Sequence, residues 1–425
     1  MSRAVVVGAG FAGLFAAAAL RHRFDELIVL ERDPLAADSS PRRGVPQGRQ
    51  LHNLLGRAQL HAEQLLPGYI GRLKVVGCGV GCVSSDTYVH ELGVRMPERD
   101  LGLELLSATR PVADHTAQSM LSSDVEFVDR SPVVGLTTSG RNVITGVEIS
   151  TSNGTQTLSA DLIVDASGPA SISARWMGER GIEVPVDEHH ADQWYVCAEV
   201  RLPDAVEHHP FLMVFPTNPK TRGGLMSPVG DGTFYVSLSG KSADVVPRTF
   251  DEMQLYARTL EDSCIADRLE GAVALGVPRV FHRQVAVWRR FDKVPMPCGL
   301  VVVGDAVAAL NPLFGQGMSG AAWEVSHLAT LDLDEALPDR FAALTAGIVQ
   351  MAWSLGEVVT NSLVVRRGEQ IVDLTPALAS CIADDPALHE QYVRIWHMLE
   401  PADALRHSDV ATRLLDRALE LRGAQ

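Results

Sequence analysis

The apolar positions near the start of the chain form three short groups. Val5–Val7 is a β-branched run that predicts a buried strand, Leu14–Leu20 is rich in small residues and predicts a helix packed closely on a sheet, and Leu27–Leu30 predicts the next strand. Three glycines in the spacing G-x-G-x-x-G separate the first strand from the helix: Gly8, Gly10 and Gly13. The pattern predicts a strand, a tight turn and a helix.

Between this unit and the middle of the chain the pattern is mixed. Proline and serine mark a loop from Asp33 to Pro41, and the leucines of residues 51–55 fall at helical spacing. Leu103–Leu121 also has helical spacing, interrupted by Arg110 and Pro111. Because proline is favoured in the first turn of a helix, we expect a helix to begin near Pro111 with Arg110 at its mouth.

The middle of the chain predicts strands. The dipeptide Asn153-Gly154, a strong hairpin signal, separates Val143–Ser150 from Gln156–Leu158. Ala160–Gly168 predicts a buried strand that ends in a turn of small residues. Four later runs predict a separate antiparallel sheet: Trp194–Leu202, Phe211–Phe215, Gly224–Val229 and Thr233–Leu238.

Helices dominate the rest of the chain. Thr249 and Glu252 form a capping-box pattern, which predicts a helix that runs to about Leu269. Gly299–Val303 predicts a last buried strand, and from Met318 onward the spacing is mainly helical.

Composition narrows the class of protein. The chain has 425 residues, of which 46% are hydrophobic, so it can bury a large core. A net charge of −15 argues against nucleic acid or an anionic membrane surface as a partner, and no apolar run predicts a membrane span. The six cysteines are scattered, and adjacent histidines such as His189-His190 point to opposite faces of a strand, so we expect no metal site. These features predict a cytoplasmic globular protein.

The glycine spacing predicts that the first strand-turn-helix unit binds a dinucleotide. The first glycine permits the turn, the second lets the backbone approach a diphosphate, and the third lets helix and strand touch. The helix N-terminus then offers N–H groups to phosphate, and Glu31, at the end of the second strand, can accept hydrogen bonds from an adenosine ribose. A secretory signal peptide is a competing interpretation, against which the glycine spacing and Glu31 both argue. This unit alone leaves NAD and FAD as alternatives.

A second glycine-containing loop follows the predicted strand Gly299–Val303. Residues 304–318 carry one carboxylate, Asp305, and then glycines directly before a new helix. The loop therefore offers an acid that can bind hydroxyl groups and a second helix N-terminus that can face an anion. Two such helix ends suit a long, two-headed cofactor.

With this loop the sequence resembles the FAD-dependent monooxygenases of the p-hydroxybenzoate hydroxylase type. Their signature G-D-x6-P-x2-G-x-G is matched at Gly304, Asp305, Pro312, Gly315 and Gly317. The resemblance implies an α/β fold, in which a Rossmann-like FAD-binding domain carries an inserted antiparallel substrate sheet and a helical C-terminal region. It implies that residues 1–75, 101–175 and 275–340 form the FAD-binding domain, 76–100 and 176–274 the substrate domain, and 341–425 the C-terminal helical region.

The resemblance also implies roles for single residues. Glu31 would bind the adenosine ribose, Arg110 would lie near the ribityl and phosphate region, and Asp305 would bond to the ribityl chain. Gly315, Gly317 and Met318 would place backbone N–H groups beside the flavin ring. The full set implied for FAD is Gly8, Gly10, Phe11, Ala12, Gly13, Glu31, Arg32, Arg43, Gln47, Arg110, Asp305, Pro312, Gly315, Gly317 and Met318.

Two other stretches bear on the branch of the family. Residues 43–48 with His52 look like the squalene-epoxidase-like branch found in polyketide and terpenoid tailoring, although Gln50 stands where that branch usually has a histidine. Asp165–Gly168 resembles the family's middle motif, but Pro169-Ala170 replaces an arginine common after it. That departure leaves the route of flavin reduction open.

The resemblance implies an enzyme that uses NADPH or NADH and O₂ to hydroxylate or epoxidise a lipophilic small molecule. We expect its pocket to include His52, Trp194, Phe211, Met213 and Phe215, and we predict no catalytic side chain. Strand alternation places Phe211, Met213 and Phe215 on one face and the residue between the first two on the other.

Three alternatives stay open at this point. One is a flavin-dependent reductase, dehydrogenase or halogenase, although the W-x-W-x-I-P pattern of tryptophan halogenases is absent because no two tryptophans are two residues apart. The others are a non-redox cyclase or isomerase and a flavoprotein that binds its ligand without turnover.

Overall fold

The computed structural model describes residues 1–35, 38–42, 48, 50–140, 142–206, 208–361, 364–367, 370–406 and 408–423. Its strands are β1 (Arg3–Val7), β2 (Glu26–Leu30), β3 (Asn53–Leu54), β4 (Gly79–Ser84), β5 (Thr87–Glu91), β6 (Val94–Arg95), β7 (Asp100–Ser107), β8 (Glu126–Val128), β9 (Val133–Ser139), β10 (Val143–Thr151), β11 (Gly154–Ser159), β12 (Leu162–Asp165), β13 (Val186–Arg201), β14 (Phe211–Val214), β15 (Gly223–Gly230), β16 (Thr233–Lys241), β17 (Val273–Ala274), β18 (Arg279–Arg289), β19 (Leu300–Val302), β20 (Ala308–Ala309), β21 (Val364–Arg367) and β22 (Gln370–Asp373).

The α-helices are α1 (Phe11–Leu20), α2 (Gly56–Leu65), α3 (Tyr69–Val75), α4 (Arg110–Leu121), α5 (Ile172–Gly178), α6 (Phe250–Ala257), α7 (Cys264–Arg268), α8 (Gly317–Ser326), α9 (Leu337–Asn361), α10 (Thr375–Asp384), α11 (Pro386–Trp396) and α12 (Ser408–Gly423).

A five-stranded parallel sheet lies at the centre of the nucleotide-type unit, in the order β19-β12-β1-β2-β8. Its strands are continuous apolar runs because both faces are covered. Helices α1 and α8 pack on one face, whereas β9, β10 and α5 cover the other. The strands predicted at Val5–Val7, Leu27–Leu30, within Ala160–Gly168 and at Gly299–Val303 are confirmed.

The predicted second sheet is also confirmed, and it is larger than expected. Its main path runs β20-β18-β13-β16-β15-β14-β5-β6, and β17 pairs with β13 beside that path. The pairing is antiparallel except between β14 and β5, which run parallel. Side chains on one face of this sheet pack against α6 and α7, so the opposite face is the one turned to the rest of the molecule.

A small sheet and a group of helices complete the molecule. Strands β3, β7 and β4 form an antiparallel sheet that packs against β14 and β15. Beyond α9 the chain is mainly helical, as expected, with α10, α11 and α12 packed together beside the β21-β22 hairpin. None of the helices in the described ranges is long and apolar enough to cross a membrane.

Two helix predictions upstream of α4 are wrong. Within residues 51–55 only Asn53–Leu54 is regular, as the short strand β3, and the helix begins only at Gly56. Residues 103–107 belong to strand β7, because Leu101, Leu103 and Leu105 alternate with polar or small residues and pack in one apolar cluster. The helix expected near Pro111 does form as α4, with the Thr109 hydroxyl accepting the N–H of Val112 at its cap.

The helix predicted from Thr249 to Leu269 is interrupted. Its capping box is confirmed, since Thr249 and Glu252 bond to each other's backbone N–H groups. The helix nevertheless ends at Ala257, and the carboxylate of Asp262 accepts the N–H of Cys264 (2.8 Å) in the turn before α7. Such a side-chain bond to backbone competes with continued helix.

Candidate functional site

The glycine-rich turn brings β1, α1 and the end of β12 into close contact. Gly8 has φ +104°, and a Cβ there would lie 2.5 Å from the carbonyl oxygen of Ala166. A Cβ on Gly13 would lie 1.9 Å from the carbonyl oxygen of Gly8. Gly10 caps α1 without a side chain, so the first N–H groups of the helix face outward from this turn. The turn therefore presents a helix N-terminus that can face an anion.

The Glu31 carboxylate lies beside this turn at the end of β2. It is 6% exposed and accepts the N–H of Ala9 (2.9 Å) on Oε2 and the N–H of Asp33 (3.1 Å) on Oε1. Arg42 also donates to Oε2 (2.8 Å) and to the carbonyl oxygen of Ala9 (2.7 Å). Glu31 is thus a buried, oriented acceptor next to the helix end.

Two arginines meet at one aspartate on α4. Arg42 reaches Oδ2 of Asp114 (3.1 Å), and the Nε of Arg110 donates to Oδ1 of the same carboxylate (2.8 Å). A Cβ on Gly10 would lie 3.5 Å from Nη2 of Arg110, so this guanidinium extends over the glycine-rich turn. The site therefore combines a helix N-terminus with two fixed positive groups.

A second helix end lies at α8, after the loop that follows β19. Gly315 has φ +65°, and no described atom comes within 4 Å of a Cβ placed on Gly315 or Gly317. Gly304, at the start of the loop, donates its N–H to the buried carboxyl of Glu324 on α8 (2.7 Å). Burial, with a smaller effect of nearby Asp305, raises the pKa of Glu324 to about 8.

A third loop, after β12, is fixed to the second one by an arginine. The carboxylate of Asp165 accepts N–H groups of Ser167 (3.0 Å) and Ser173 (2.8 Å) and thereby shapes this loop. Arg289 of β18 donates to the carbonyl oxygen of Pro169 and to that of Ala306 (3.3 Å). Arg289 thereby links the loop after β12 to the loop after β19.

The large sheet touches the second loop through three polar side chains. The phenol of Tyr195 donates to Oδ1 of Asn311 (2.7 Å), and the amide of Asn311 donates to Gln193 (3.0 Å). Gln193 and Tyr195 are two residues apart on β13, so their side chains lie on the same face of the sheet, and both are buried. This contact identifies the face of the sheet that is turned toward the glycine-containing loops.

The same side of the sheet carries an apolar wall. Phe211, Met213 and Phe215 are buried in one cluster, as their alternation predicts. Phe215 meets Trp396 of α11 edge to face, with ring centroids 5.8 Å apart. Leu313, from the loop before α8, packs against the same cluster. The wall is therefore shared by the sheet, the loop and the C-terminal helices.

Trp194 does not belong to this wall, which corrects its expected grouping with Phe211. It lies on the opposite face of β13, packs edge to face on Tyr256 of α6 (5.1 Å) and donates its indole N–H to the carbonyl oxygen of Lys241 (2.8 Å). Leu212 is buried in the same opposite-face cluster. The reason is strand alternation, since Trp194 neighbours Tyr195, which faces the loop.

His52 lies just before β3, and its carbonyl oxygen accepts the N–H of Ala108 (3.3 Å). Its Nδ1 is 2.9 Å from the carbonyl oxygen of Gln50, so the neutral ring carries its proton there and leaves Nε2 as an acceptor. Burial, and then the positive charge of Arg110, lower the pKa of His52 to about 3. The imidazole is neutral at physiological pH.

The remaining predicted residues are placed as follows. Phe11 is buried in α1 and Met318 in α8, where both join the core beside the parallel sheet. Pro312 is exposed in the loop before α8, and Arg32 is exposed after β2. Ala12 is partly buried in the first turn of α1, whereas Arg43 and Gln47 lie outside the described residues.

Comparison with known proteins identifies what this arrangement holds. Residues 1–333 match the family described as "FAD binding domain". The chain belongs to this FAD-binding family.

Individual relatives agree with that assignment. The chain is 27% identical to Protein Rv3254 of Mycobacterium tuberculosis, over 93% of this chain and 90% of that protein, and 25% identical to kynurenine 3-monooxygenase of Salinispora arenicola, over 98% and 92%. It also matches the structure of a flavoprotein/dehydrogenase from Cytophaga hutchinsonii, with a TM-score of 0.72, 15% identity and coverage of 99% of both chains. The expected p-hydroxybenzoate hydroxylase-type fold and FAD cofactor are confirmed.

The residues present fit FAD. Gly10 leaves room beneath Arg110 at the first helix end, where a diphosphate needs both N–H donors and positive charge. Glu31 supplies a buried carboxylate next to that end, and the open space at Gly315 and Gly317 adjoins the second helix end. Each half of a long dinucleotide thus has a matching group.

Several residues around the FAD site were missed from sequence. They are Asp114, Tyr195, Arg289, Asn311, Glu324 and Trp396. Only the spacing of Arg110 and Asp114 carried a usable signal, because residues four apart face each other on a helix. The others meet through long-range packing, which no local pattern reveals.

Proposed function

We propose that this FAD-dependent monooxygenase uses NADPH or NADH and O₂ to hydroxylate or epoxidise a lipophilic small molecule of polyketide or terpenoid type. In the balanced reaction, substrate, O₂, NAD(P)H and a proton give the oxygenated product, NAD(P)⁺ and water. One oxygen atom enters the substrate and the other leaves as water.

One observation carries the proposal of a lipophilic substrate. The apolar wall of Phe211, Met213 and Phe215 lies on the face of the sheet whose Tyr195 is bonded to Asn311, in the loop before α8. Phe211, Met213 and Phe215 are 0%, 0% and 5% exposed, so a ligand would reach them by displacing packed neighbours such as Trp396. Burial of apolar ligand surface there would contribute roughly 25 cal/mol per Å², which favours a polyene or fused-ring molecule. A small charged phenol gains little from such a wall.

The protein's part is orientation and exclusion of water. When bound, FAD supplies the redox chemistry and the activation of O₂. The loop before α8 and the N-terminus of α8 would hold the ring system of the flavin. Glu31 and Arg110 would hold the ADP half of FAD. Trp396 and Leu313, packed around the wall, would keep water away from the reacting carbon.

His52 is proposed as a pocket residue that orients a substrate. Its neutral ring offers Nε2 as an acceptor, which suits a hydroxyl group of the ligand. The proposal includes no proton transfer by His52, because a pKa of about 3 makes the ring a weak base.

The proposal assigns a role to each region of the chain. Residues 1–75, 101–175 and 275–340 would bind FAD, 76–100 and 176–274 would bind the substrate, and 341–425 would close the apolar pocket. The packing of Trp396 on Phe215 supports a pocket role for the last region.

Oxidation of NADPH and NADH by the FAD-loaded protein tests the proposal. We expect lipophilic alkenes and fused-ring polyketides to accelerate oxidation in air, whereas p-hydroxybenzoate and L-kynurenine do not. Acceleration only by the small polar compounds would contradict the lipophilic pocket. Conversion of the ligand without O₂ would favour a reductase or a non-redox cyclase.

A further inference from the structure

We propose that Asp114 is a positioning residue for the diphosphate of FAD, acting through Arg42 and Arg110. This inference depends on the FAD site and not on the identity of the substrate. It assigns a binding role to an acidic residue that lies close to where an anionic ligand must sit.

Asp114 is the junction of a chain of four alternating charges. The order is Glu31, Arg42, Asp114 and Arg110, with contacts of 2.8, 3.1 and 2.8 Å. All four side chains are only 8–11% exposed. Charges at this depth are weakly screened by solvent, so their mutual arrangement is strongly fixed.

The geometry divides the work between the two carboxylate oxygens. Oδ1 accepts from Nε of Arg110, and Oδ2 accepts from Nη2 of Arg42. Arg110 uses Nε for this bond, and its Nη2 lies 3.5 Å from a Cβ placed on Gly10, over the glycine-rich turn. The terminal N–H groups of a guanidinium form the fork that suits phosphate oxygens.

The backbone makes this arrangement rigid. Arg110 and Asp114 are one turn apart at the start of α4, whose first turn is fixed by Pro111 and by the Thr109 cap. A cleft opens beside the pair, lined in part by Arg42, Arg110, Asp114, His115 and Gln118. Both arginines therefore border this cleft, and Arg110 also extends over the glycine-rich turn.

Simple electrostatics and positioning predict opposite effects for loss of the Asp114 charge. By charge alone, removing an acid beside an anion-binding site strengthens anion binding. If Asp114 instead orders two long side chains, its loss releases them to many rotamers and lets their like charges repel. FAD binding then weakens, although the site has become more positive.

The test measures FAD binding to apoprotein by quenching of flavin fluorescence, in the wild type, Asp114→Asn and Asp114→Glu. We expect Asp114→Asn to weaken FAD binding about ten- to a hundredfold, the equivalent of one lost charge-assisted hydrogen bond. The Asp114→Glu variant keeps the charge but moves it, so we expect an intermediate loss.

ADP and adenosine, used as competitors of FAD, separate positioning from a general loss of structure. In Asp114→Asn the affinity for ADP should fall together with the affinity for FAD. The affinity for adenosine, which lacks the diphosphate, should change by less than about twofold. Asp292→Asn is the matched control, because Asp292 is 9% exposed and pairs with Arg290 (2.8 Å) away from the turn. It should bind FAD as the wild type does.

Three results would overturn the inference. The first is unchanged or tighter FAD binding in Asp114→Asn. The second is an equal loss of affinity for ADP and for adenosine in that variant. The third is a loss of FAD affinity in Asp292→Asn as large as in Asp114→Asn. If Asp114→Asn does not fold, Asp114→Glu decides alone, since a role through charge only predicts wild-type affinity for it.

Discussion

The hydroxyl of Tyr195 lies 2.7 Å from Oδ1 of Asn311, and this bond joins the large sheet to the loop before α8. Asn311 also accepts the N–H of Leu313 (3.1 Å), so the same oxygen shapes the loop itself. The contact connects the surface proposed to hold the substrate with the backbone that would hold the flavin ring.

Tyr195→Phe removes that hydrogen bond without removing the ring. One such bond contributes roughly 0.5–1.5 kcal/mol, so we expect FAD affinity to fall by about two- to tenfold, with faster FAD release. Tyr88→Phe removes a comparable bond to Asp262 (2.8 Å) and serves as control. Equal FAD release rates in the two variants would show that the Tyr195 bond does not support FAD binding by the loop before α8.

Asp305→Ala tests the carboxylate at the start of that loop. If Asp305 bonds to a hydroxyl of the ribityl chain, its loss costs roughly 0.5–3 kcal/mol, and FAD affinity falls about three- to a hundredfold. The melting temperature of the apoprotein should change little. Asp334→Ala removes an exposed partner of Arg340 and should leave FAD affinity unaltered. A collapsed melting temperature with normal FAD affinity would mean that Asp305 serves the fold.

Met213→Ala and Leu212→Ala test which face of β14 meets the substrate. Both side chains are buried, so each truncation should destabilise the protein by roughly 2–5 kcal/mol. Only Met213 lies on the proposed wall, so only its loss should raise KM for a lipophilic substrate, by about five- to thirtyfold. Equal effects on KM would contradict the assignment of faces.

Glu324→Gln tests the buried carboxyl of α8 through the pH dependence of stability. The pKa of Glu324 is raised from 4.5 to about 8, so between these values the folded protein holds a proton that the unfolded chain has lost. Its contribution to stability is full below about pH 4.5 and is lost as the pH rises toward 8.

The amide variant retains an acceptor for the N–H of Gly304 and cannot ionise. We therefore expect the melting temperature of Glu324→Gln to fall less than that of the wild type between pH 5 and pH 8. Glu104→Gln, which changes an exposed partner of Lys74, should follow the wild-type profile. Parallel profiles for the wild type and Glu324→Gln would contradict a buried, protonated Glu324.

The parts of the fold that are determined by residues close together in the sequence could be predicted. The glycine-rich turn, the capping box of Thr249 and Glu252, and the alternation of Phe211, Met213 and Phe215 are all local patterns. Residues 103–107 were misassigned because Leu103 and Leu106 are three apart, which also matches a helical spacing.

The contacts that could not be predicted join distant parts of the chain. Arg289 reaches the loop at Pro169 from a strand more than a hundred residues later, and Trp396 reaches Phe215 from the C-terminal helices. Local propensity and periodicity do not predict such contacts, because the contacts depend on how sheets and helices pack. For the same reason the face of Trp194 was not predictable before its strand was placed.

Incorporation of ¹⁸O from ¹⁸O₂ into the product tests the central claim most directly. With a lipophilic ligand that accelerates NAD(P)H oxidation, we predict a product heavier by a single ¹⁸O atom, formed in an amount that approaches the NAD(P)H consumed. NAD(P)H oxidation that yields only hydrogen peroxide and unaltered ligand, or a product whose new oxygen comes from water, would contradict the assignment of this protein as a monooxygenase of lipophilic molecules.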